Sequence, residues 1–317
     1  MPKWIIDISV WQSFTPPTIQ IFKQHGLAGG IIRCAQGANI IDTKLASNVK
    51  LFQDAGIPYG VYQWVDITQD PVKQSDLGLA LCNKYNANFL AGDFEQYWLD
   101  WNEYWNYNYN HIGSISIAPS KKIYDVYASY TSLVLQKLSK PFVAYSAPWF
   151  INGYCNQLPN LLKTLPYYWN AYYPTYKDPD GDNFLSWEEF EEYFNHLPKE
   201  ISIPNVNTSI WQFNYMTIEN SFSIDQNIVY DDIVFDKLFG ESNVDPIPTP
   251  EPSIPIVLQI ARVTATAGLR VRDLPSLTGN RLYVLPYNTV VNIYEIKDGW
   301  ARIDAFGQKW VSMDWLK

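Results

Sequence analysis

The chain has 317 residues, of which 47% are hydrophobic and 17% charged, so it can bury at least one full core. Its length predicts more than one domain. Its net charge of -9 and pI near 4.8 argue against nucleic-acid binding, because recognition of a phosphate backbone needs clustered Lys and Arg. No run approaches the roughly 18 apolar residues of a membrane span. Aromatic residues reach 16%, and their flat faces favour an uncharged, ring-shaped ligand such as a sugar.

The cysteine, histidine and N-terminal patterns exclude further classes of protein. Cys34, Cys82 and Cys155 are far apart and form no C-x-x-C pair, which predicts buried free thiols. The histidines have no metal-ligand spacing, so no cofactor is expected for catalysis. Met1 leads directly into an apolar, strand-like segment, which predicts that no signal peptide is present.

Short apolar runs predict seven buried strands in the first 240 residues. The runs are 4–8, 29–34, 59–65, 89–94, 142–145, 167–172 and 209–213. Segments of helical period lie between most of them, for example 43–55 and 123–138. Strands that alternate with helices predict a largely parallel sheet, and seven or eight such units predict an α/β fold, an irregular (β/α) barrel of the TIM type. Catalytic groups in such barrels lie at the carboxyl ends of the strands.

Acidic residues stand at the ends of the predicted strands. Asp7 closes the first strand, Asp93 and Glu95 close the fourth, and Asp225 lies near the end of this region. Because strand side chains alternate between faces, Asp93 and Glu95 point the same way, about 6.5 to 7 Å apart at the backbone. Two carboxyl groups this close cannot both ionise at low cost, so one should have a raised pKa, as a glycosidase requires. An isolated D-x-E motif is unspecific, and a solvated pair of acids is the simpler alternative.

An ordered series of motifs surrounds this acidic pair. In chain order it comprises Asp7 to Gln12 (DISVWQ), Gly30 to Gly37 (GIIRCAQG), Asp54 to Tyr62 (DAGIPYGVY), Gly92 to Glu95 (GDFE), Ala144 to Ser146 (AYS), Trp169 to Tyr172 (WNAY), Trp211-Gln212, and Asp225 to Asn227 (DQN). The series resembles family 25 glycoside hydrolases, the Chalaropsis-type lysozymes, over nearly all of residues 1–240. The order and spacing carry the resemblance, since no single motif would suffice.

The resemblance implies an N-acetylmuramidase that cleaves the β-1,4 bond between N-acetylmuramic acid and N-acetylglucosamine in peptidoglycan. It implies that Glu95 is the general acid and that Asp93 orients or charge-stabilises the 2-acetamido group, while Asp7 and Asp225 line the same groove. Retention and inversion of the anomeric centre both remain open. Aromatic residues at strand ends are expected to stack on sugars, although each also suits a core: Tyr62, Tyr145, Trp169, Tyr172 and Trp211.

The segment after Glu95 departs from the compact family pattern. Residues 96–107 (QYWLDWNEYWNY) form an Asn- and aromatic-rich stretch that predicts an inserted loop beside the acid. Such a loop either extends the platform for glycan or changes the preferred sugar, or it packs its own aromatic rings.

A second departure resembles a lone EF-hand calcium loop at residues 178–189 (DPDGDNFLSWEE). The predicted ligands are Asp178, Asp180, Asp182, the Phe184 carbonyl, Ser186 and Glu189. Asn183 occupies the position where glycine is usual, and Asn tolerates the left-handed conformation required there. No entering helix precedes the loop, so structural Ca2+ is predicted rather than a regulatory site. An acidic surface turn is the alternative.

A proline-rich stretch, 241–256, predicts an extended linker between two domains, 1–240 and 257–317. The last 61 residues carry eight Lys and Arg against five Asp and Glu. Their short alternating segments predict a small β-barrel, and the motifs LRVRDLPS, DGWARI and KWVSMDWL resemble bacterial SH3 domains. In wall hydrolases such domains tether the enzyme to peptidoglycan.

The sequence as a whole predicts a bacteriolytic, endolysin-like peptidoglycan hydrolase, made in the cytoplasm of a phage-infected bacterium and acting on the cell wall. A truncated secreted autolysin would show the same features. Two alternatives remain: a hydrolase of another N-acetylated β-1,4-glycan, and a non-catalytic glycan-binding protein on a hydrolase scaffold. The presence of all four acids together argues against the second alternative.

Overall fold

A computed structural model of the protein describes residues 2–174, 184–197, 203–215, 217–218, 223–240, 258–303 and 309–317. The chain divides into two compact units, 1–243 and 244–317. The linker predicted at 241–256 lies outside the described residues. Among the helices of the described segments, none is long and apolar enough to cross a membrane.

Strands and helices alternate along most of the first unit. The strands are β1 (Lys3–Ile8), β2 (Leu27–Gln36), β3 (Ile40–Ile41), β4 (Tyr59–Trp64), β5 (Leu90–Asp93), β6 (Phe142–Ser146), β7 (Tyr168–Ala171), β8 (Phe184–Leu185), β9 (Thr208–Asn214), β10 (Thr217–Ile218) and β11 (Asp225–Val229). The helices are α1 (Pro16–Gln24), α2 (Leu45–Ala55), α3 (Pro71–Lys84), α4 (Trp101–Tyr109), α5 (Ser120–Lys137), α6 (Pro148–Tyr154), α7 (Leu158–Leu162), α8 (Trp187–Asn195) and α9 (Asp232–Phe239).

Eight strands close into a barrel in the order β1, β2, β4, β5, β6, β7, β9, β11 and back to β1. Neighbouring strands are parallel except β11, which runs antiparallel to both β9 and β1. The predicted irregular α/β barrel is therefore confirmed. Asp225 begins β11 and pairs with Asp7 of β1, so the reversed strand direction brings it to the end where the parallel strands finish.

Apolar side chains pack on both faces of the barrel strands. On β1, Ile5 points into the barrel interior and Ile6 into the outer layer under the helices, because successive strand residues alternate faces. Gly60 allows the ring of Phe89 to lie directly against the backbone, where any Cβ would collide with it. Helix α9 closes one end of the barrel with Phe239, whose ring packs edge-on against Phe89 at 5.2 Å.

The second unit consists of short strands. They are β12 (Gln259–Arg262), β13 (Leu269–Arg272), β14 (Arg281–Leu285), β15 (Val290–Ile293), β16 (Glu295–Lys297), β17 (Trp300–Arg302) and β18 (Trp310–Ser312), followed by a 3-10 turn at Met313–Trp315. Strands β14, β13, β18, β17 and β16 form one sheet, and β12 pairs with β15. Val271, Ile293 and Val311 are fully buried at the centre of this unit. The prediction of a small all-β second domain is confirmed.

Candidate active site

A cavity of about 290 Å³ lies at the end of the barrel where the parallel strands finish. It brings together all four acids predicted from the sequence: Asp7, Asp93, Glu95 and Asp225. The other lining residues are Ser9, Trp11, Gln12, Arg33, Tyr62, Trp64, Tyr145, Trp169, Tyr173 and Gln212. The cavity is therefore a cluster of carboxyl groups surrounded by aromatic and amide side chains.

The backbone that carries Glu95 is held on both sides. Strand β5 ends at Asp93, and the next residue, Phe94, donates its N–H to the Tyr145 carbonyl at 2.9 Å. The Phe94 carbonyl accepts a hydrogen bond from the Ser146 hydroxyl at 2.8 Å. On the other side, the N–H of Gln96 donates to the hydroxyl of Tyr127, a fully buried residue of α5, at 3.0 Å. These bonds fix the direction in which the Glu95 side chain leaves the chain.

Asp7 is buried and accepts two hydrogen bonds at Oδ2, one from Gln212 Nε2 at 2.8 Å and one from Asn227 Nδ2 at 2.9 Å. The indole N–H of Trp169 donates to Asn227 Oδ1 at 2.7 Å. Because that N–H can only donate, it fixes which end of the Asn227 amide faces Asp7. Burial and the nearby Asp225 raise the pKa of Asp7, while the two amide donors oppose that rise.

Two tyrosines extend the same network on the other side of Asp7. The hydroxyls of Tyr145 and Tyr173 both donate to Gln212 Oε1, at 2.8 and 2.6 Å. Gln212 then presents its amide N–H to Asp7. The network therefore directs its donors toward one carboxyl group and holds it in place.

Asp93 has a different environment. It is only 5% exposed, and within the described residues its Oδ1 has no hydrogen-bond partner. Burial, followed by the charges of Glu95 and Asp7, raises the pKa of Asp93, while the Arg33 guanidinium opposes the rise. The unpartnered oxygen of Asp93 is a vacant acceptor at the cavity.

Arg33 is the only Lys or Arg among the described residues that line the cavity. Its Nε donates to the buried Asp42 at 2.8 Å, and Asp42 also accepts the backbone N–H groups of Val10 and Lys44. The ion pair holds the guanidinium beside Asp93. Arg33 was not among the predicted site residues, and a charged residue within a buried strand was the available signal.

Glu95 and Asp225 form the half-buried pair at the cavity. Burial, followed by the charge of Asp225, raises the pKa of Glu95 to about 7. Burial also raises the pKa of Asp225 to about 7. At neutral pH the pair therefore holds a proton that is available for transfer.

The five predicted sugar-stacking residues divide into two groups. Tyr62, Tyr145 and Trp169 line the cavity, and Tyr145 and Trp169 pack together at 4.6 Å between ring centroids. Trp211 is fully buried, and its indole N–H donates to the backbone carbonyl of Tyr172 at 2.7 Å. Tyr172 is half-buried against the outer core. Trp211 and Tyr172 thus lie in the wall behind the cavity.

The segment predicted as an inserted loop contains helix α4. Asp100 accepts the backbone N–H groups of Asn102 and Glu103 at 2.7 and 3.0 Å, which caps the first turn. The loop prediction was wrong because it overlooked this capping residue. Helix α4 contains five aromatic residues and none of its side chains is fully buried.

The predicted calcium loop is only partly within the described residues. Asp178, Asp180 and Asp182 lie outside them. Ser186 and Glu189 form a capping box at the start of α8, in which Glu189 Oε2 accepts hydrogen bonds from the N–H and hydroxyl of Ser186, and Phe184 belongs to β8. No group of three or more His, Cys, Asp or Glu in the described part of the chain has metal-binding geometry. The three cysteines are buried and unpaired, as predicted.

Solved structures with the same fold include lysozymes and endolysins. The catalytic domain of the endolysin ply40, from bacteriophage P40 of Listeria monocytogenes, is 16% identical with a TM-score of 0.51, over 76% of this chain and 98% of that chain. A bacterial lysozyme from Streptomyces coelicolor is 14% identical with a TM-score of 0.53, over 75% and 97%. A muramidase from Trichobolus zukalii is 15% identical with a TM-score of 0.52, over 75% and 99%.

A comparison with curated proteins found no match. Residues 267–317 match the model of the bacterial SH3 domain, which confirms the prediction for the second unit. Residues 6–214 match the model of glycosyl hydrolases family 25. The match runs from within β1 to the end of β9 and includes three of the four acids at the cavity, and the chain belongs to glycosyl hydrolase family 25.

Proposed function

We propose that the protein is a peptidoglycan hydrolase that cleaves the β-1,4 bond between N-acetylmuramic acid and N-acetylglucosamine. The observation that carries this proposal is the cluster of four carboxyl groups at one cavity, in which Glu95 has a pKa raised to about 7. A carboxyl group that is protonated near neutral pH beside ionisable partners is the arrangement that glycoside hydrolysis uses.

Glu95 acts as the general acid. Its proton passes to the glycosidic oxygen as the bond to the anomeric carbon breaks, so the leaving sugar departs as a neutral alcohol. A water molecule supplies the oxygen that completes the anomeric carbon, and the proton it loses passes to the cavity carboxylates, which restores the protonated Glu95. The hydrogen bonds to Phe94 and Gln96 hold the backbone that presents this carboxyl group. Its half-buried position gives the substrate access while maintaining the raised pKa.

Asp93 interacts with the sugar that contributes the anomeric carbon to the cleaved bond. Its vacant Oδ1 accepts the N–H of the 2-acetamido group, which aligns the acetamido carbonyl with the anomeric carbon. Arg33 favours an ionised Asp93, because the guanidinium acts against the burial that raises the pKa of this carboxyl. The ionised form of Asp93, which burial disfavours and Arg33 favours, stabilises the positive charge that develops on the sugar and its acetamido group.

Asp7 and Asp225 complete the charge distribution. Asp7 is held by Gln212 and Asn227 at a fixed position in the cavity wall. Asp225 raises the pKa of both Asp7 and Glu95. Tyr62, Tyr145 and Trp169 supply the aromatic part of the wall against which the sugar rings pack.

The bacterial SH3 domain supports the choice of substrate. A second binding module on one chain raises the effective concentration of the catalytic unit at its target. We infer that residues 267–317 bind the cell wall and that the enzyme acts there, with bacterial lysis as the outcome.

Analysis of the sugar ends released from purified bacterial walls tests this function. Muramic acid at the new reducing ends is the expected result. Glucosamine at those ends would indicate the other glycosidic bond, and hence a hydrolase of another specificity. No new ends despite wall binding would indicate a non-catalytic glycan-binding protein.

We also propose that residues 178–189 bind one structural calcium ion. Three aspartates within five positions would repel one another, and a divalent cation with oxygen ligands removes that repulsion. The capping box at α8 already accounts for Ser186 and Glu189, so the proposal depends on the aspartates and the Phe184 carbonyl.

Thermal melts with calcium and with a chelator test the calcium proposal. Binding to the folded state alone raises stability in proportion to the logarithm of free calcium. Chelation should therefore lower the melting temperature, and Asp178→Ala should remove that response. A melting temperature that does not respond to chelator would leave the segment as an acidic turn.

A further inference from the structure

A strip of aromatic rings extends from the cavity wall along helix α4. We define the aromatic strip as Trp64, Trp101, Tyr104, Trp105 and Tyr109. Successive ring centroids lie 6.0, 5.8, 6.3 and 4.4 Å apart in that order. Trp64 lines the same cavity as the four acids, so the strip is continuous with the active site.

The inner end of the aromatic strip is fixed by one hydrogen-bond network. The indole N–H of Trp64 donates to Gln96 Oε1, and that of Trp101 donates to Asp66 Oδ2, both at 3.1 Å. Gln96 Nε2 donates to the other oxygen of Asp66 at 3.1 Å, and Asp66 is only 1% exposed. The orientations of both indole rings are therefore set before any ligand arrives.

The base of α4 is also anchored. Tyr104 stacks on the buried Trp98 at 3.7 Å, and Leu99 donates its N–H to the Ser116 carbonyl at 2.9 Å. The Glu103 carboxylate accepts the N–H of Ser116 at 2.8 Å. The helix is thus a fixed projection beside the cavity.

The outer end of the aromatic strip is left open to solvent. Trp105 is 42% exposed and Tyr109 is 61% exposed, although their rings pack together. The neighbouring Tyr107 is 49% exposed. Large apolar side chains exposed next to one another commonly mark a binding surface.

The chemistry of this surface favours a saccharide. Aromatic residues alternate with asparagines in α4, and its single charged residue, Glu103, is engaged by Ser116. Aromatic faces stack on the C–H faces of sugar rings, while amide groups bind their hydroxyls. A nucleic acid or an anionic membrane would require Lys and Arg, and α4 contains neither.

We propose that the aromatic strip binds sugar residues of the same glycan strand, beyond the two that flank the cleaved bond. This inference depends on the proposed function. Helix α4 spans about 13 Å, which is longer than one sugar ring, so only longer strands would reach Trp105 and Tyr109. Binding that is equal in the ground state and the transition state lowers KM without changing kcat.

The double variant Trp105→Ala/Tyr109→Ala tests the proposal on peptidoglycan oligosaccharides of defined and increasing length. KM for the long strands should rise about tenfold, because two aromatic contacts are lost, while kcat remains unchanged. KM for the shortest cleaved oligosaccharide should remain at the wild-type value. Ile233→Ala is the control: Ile233 is 64% exposed on α9, the helix that closes the other end of the barrel.

Each single variant, Trp105→Ala and Tyr109→Ala, should show part of the same length-dependent change while melting like the wild type. An unchanged KM at every length would overturn the proposal, as would an equal rise for short and long strands. A wild-type dimer that the double variant dissociates would instead make α4 an interface between two copies. Failure of the wild type to cleave any peptidoglycan fragment would contradict the proposed function itself.

Discussion

Asp7 and Asp93 lie in the same cavity but in opposite environments. Asp7 accepts two hydrogen bonds from amides that are themselves fixed by Trp169 and two tyrosines. Asp93 is equally buried, yet its Oδ1 has no partner within the described residues. The carboxyl group of Asp7 is thus held by protein donors, and that of Asp93 keeps an acceptor oxygen without a protein donor.

This difference in hydrogen bonding suggests different roles for Asp7 and Asp93. A buried acceptor without a partner costs free energy, on the order of 1 to 3 kcal/mol, and at Asp93 a substrate donor that enters the cavity can recover that cost. Glu95, two residues after Asp93 on the chain, lines the same cavity. In the proposed function, Asp7 therefore positions charge, while Asp93 and Glu95 act on the substrate.

The largest expected effect is that of Glu95→Gln, which preserves the shape of the side chain but removes its transferable proton. The kcat on peptidoglycan fragments should fall by about a hundred to ten-thousand-fold. Glu192→Gln, on the exposed surface of α8, is the control and should match the wild type. Near-normal activity of Glu95→Gln would assign the proton to another group.

Asp93→Asn tests the open acceptor. Asparagine cannot ionise and so cannot stabilise the developing positive charge, and kcat should therefore fall by about a hundredfold or more. Binding of wall fragments, measured by calorimetry, should persist because the amide retains an acceptor oxygen. Wild-type turnover would show that Asp93 has no part in the reaction.

Asn227→Leu tests the hydrogen-bond network that holds Asp7. The change leaves the Trp169 N–H without its acceptor and removes one donor from Asp7. An unpartnered buried donor costs about 1 to 3 kcal/mol, so the melting temperature should fall by several degrees. The kcat should fall less than in Glu95→Gln, since Gln212 still holds Asp7. A variant as stable as the wild type would show that the network does not support the cavity.

Asp225→Asn should change the melting temperature less than Asn227→Leu does, and should raise it rather than lower it. Burial raises the pKa of Asp225 to about 7 in the folded protein, against about 3.9 in the unfolded chain. The folded state therefore binds more protons between these values, and this group makes stability fall as pH rises from about 4 to 7. Removing the charge should raise the melting temperature at pH 8 by a few degrees and leave it unchanged at pH 4. A lower melting temperature at pH 8 would contradict the raised pKa.

The sequence predicted the barrel and the positions of Asp7, Asp93 and Glu95 because buried strands are continuous apolar runs and parallel strands end together. It did not predict that β11 runs antiparallel to β1 and β9, because the apolar pattern of a strand does not show in which direction the strand runs relative to its neighbours. Arg33 was missed although a charged residue within an apolar strand was a visible signal, whereas Gln212 and Asn227 were missed because each acts on a partner distant in the chain. Gln212 and Asn227 reach Asp7 across more than 200 residues.

The pH dependence of kcat/KM, measured for the wild type and for Asp225→Asn, tests the central claim that Glu95 is the proton donor. A general acid with a pKa of about 7 is active only while protonated, so kcat/KM should fall as pH rises above 7. Because the charge of Asp225 contributes to the raised pKa of Glu95, the fall should begin at lower pH in Asp225→Asn. A wild-type activity that stays constant to pH 9, or a fall at the same pH in both proteins, would contradict this account.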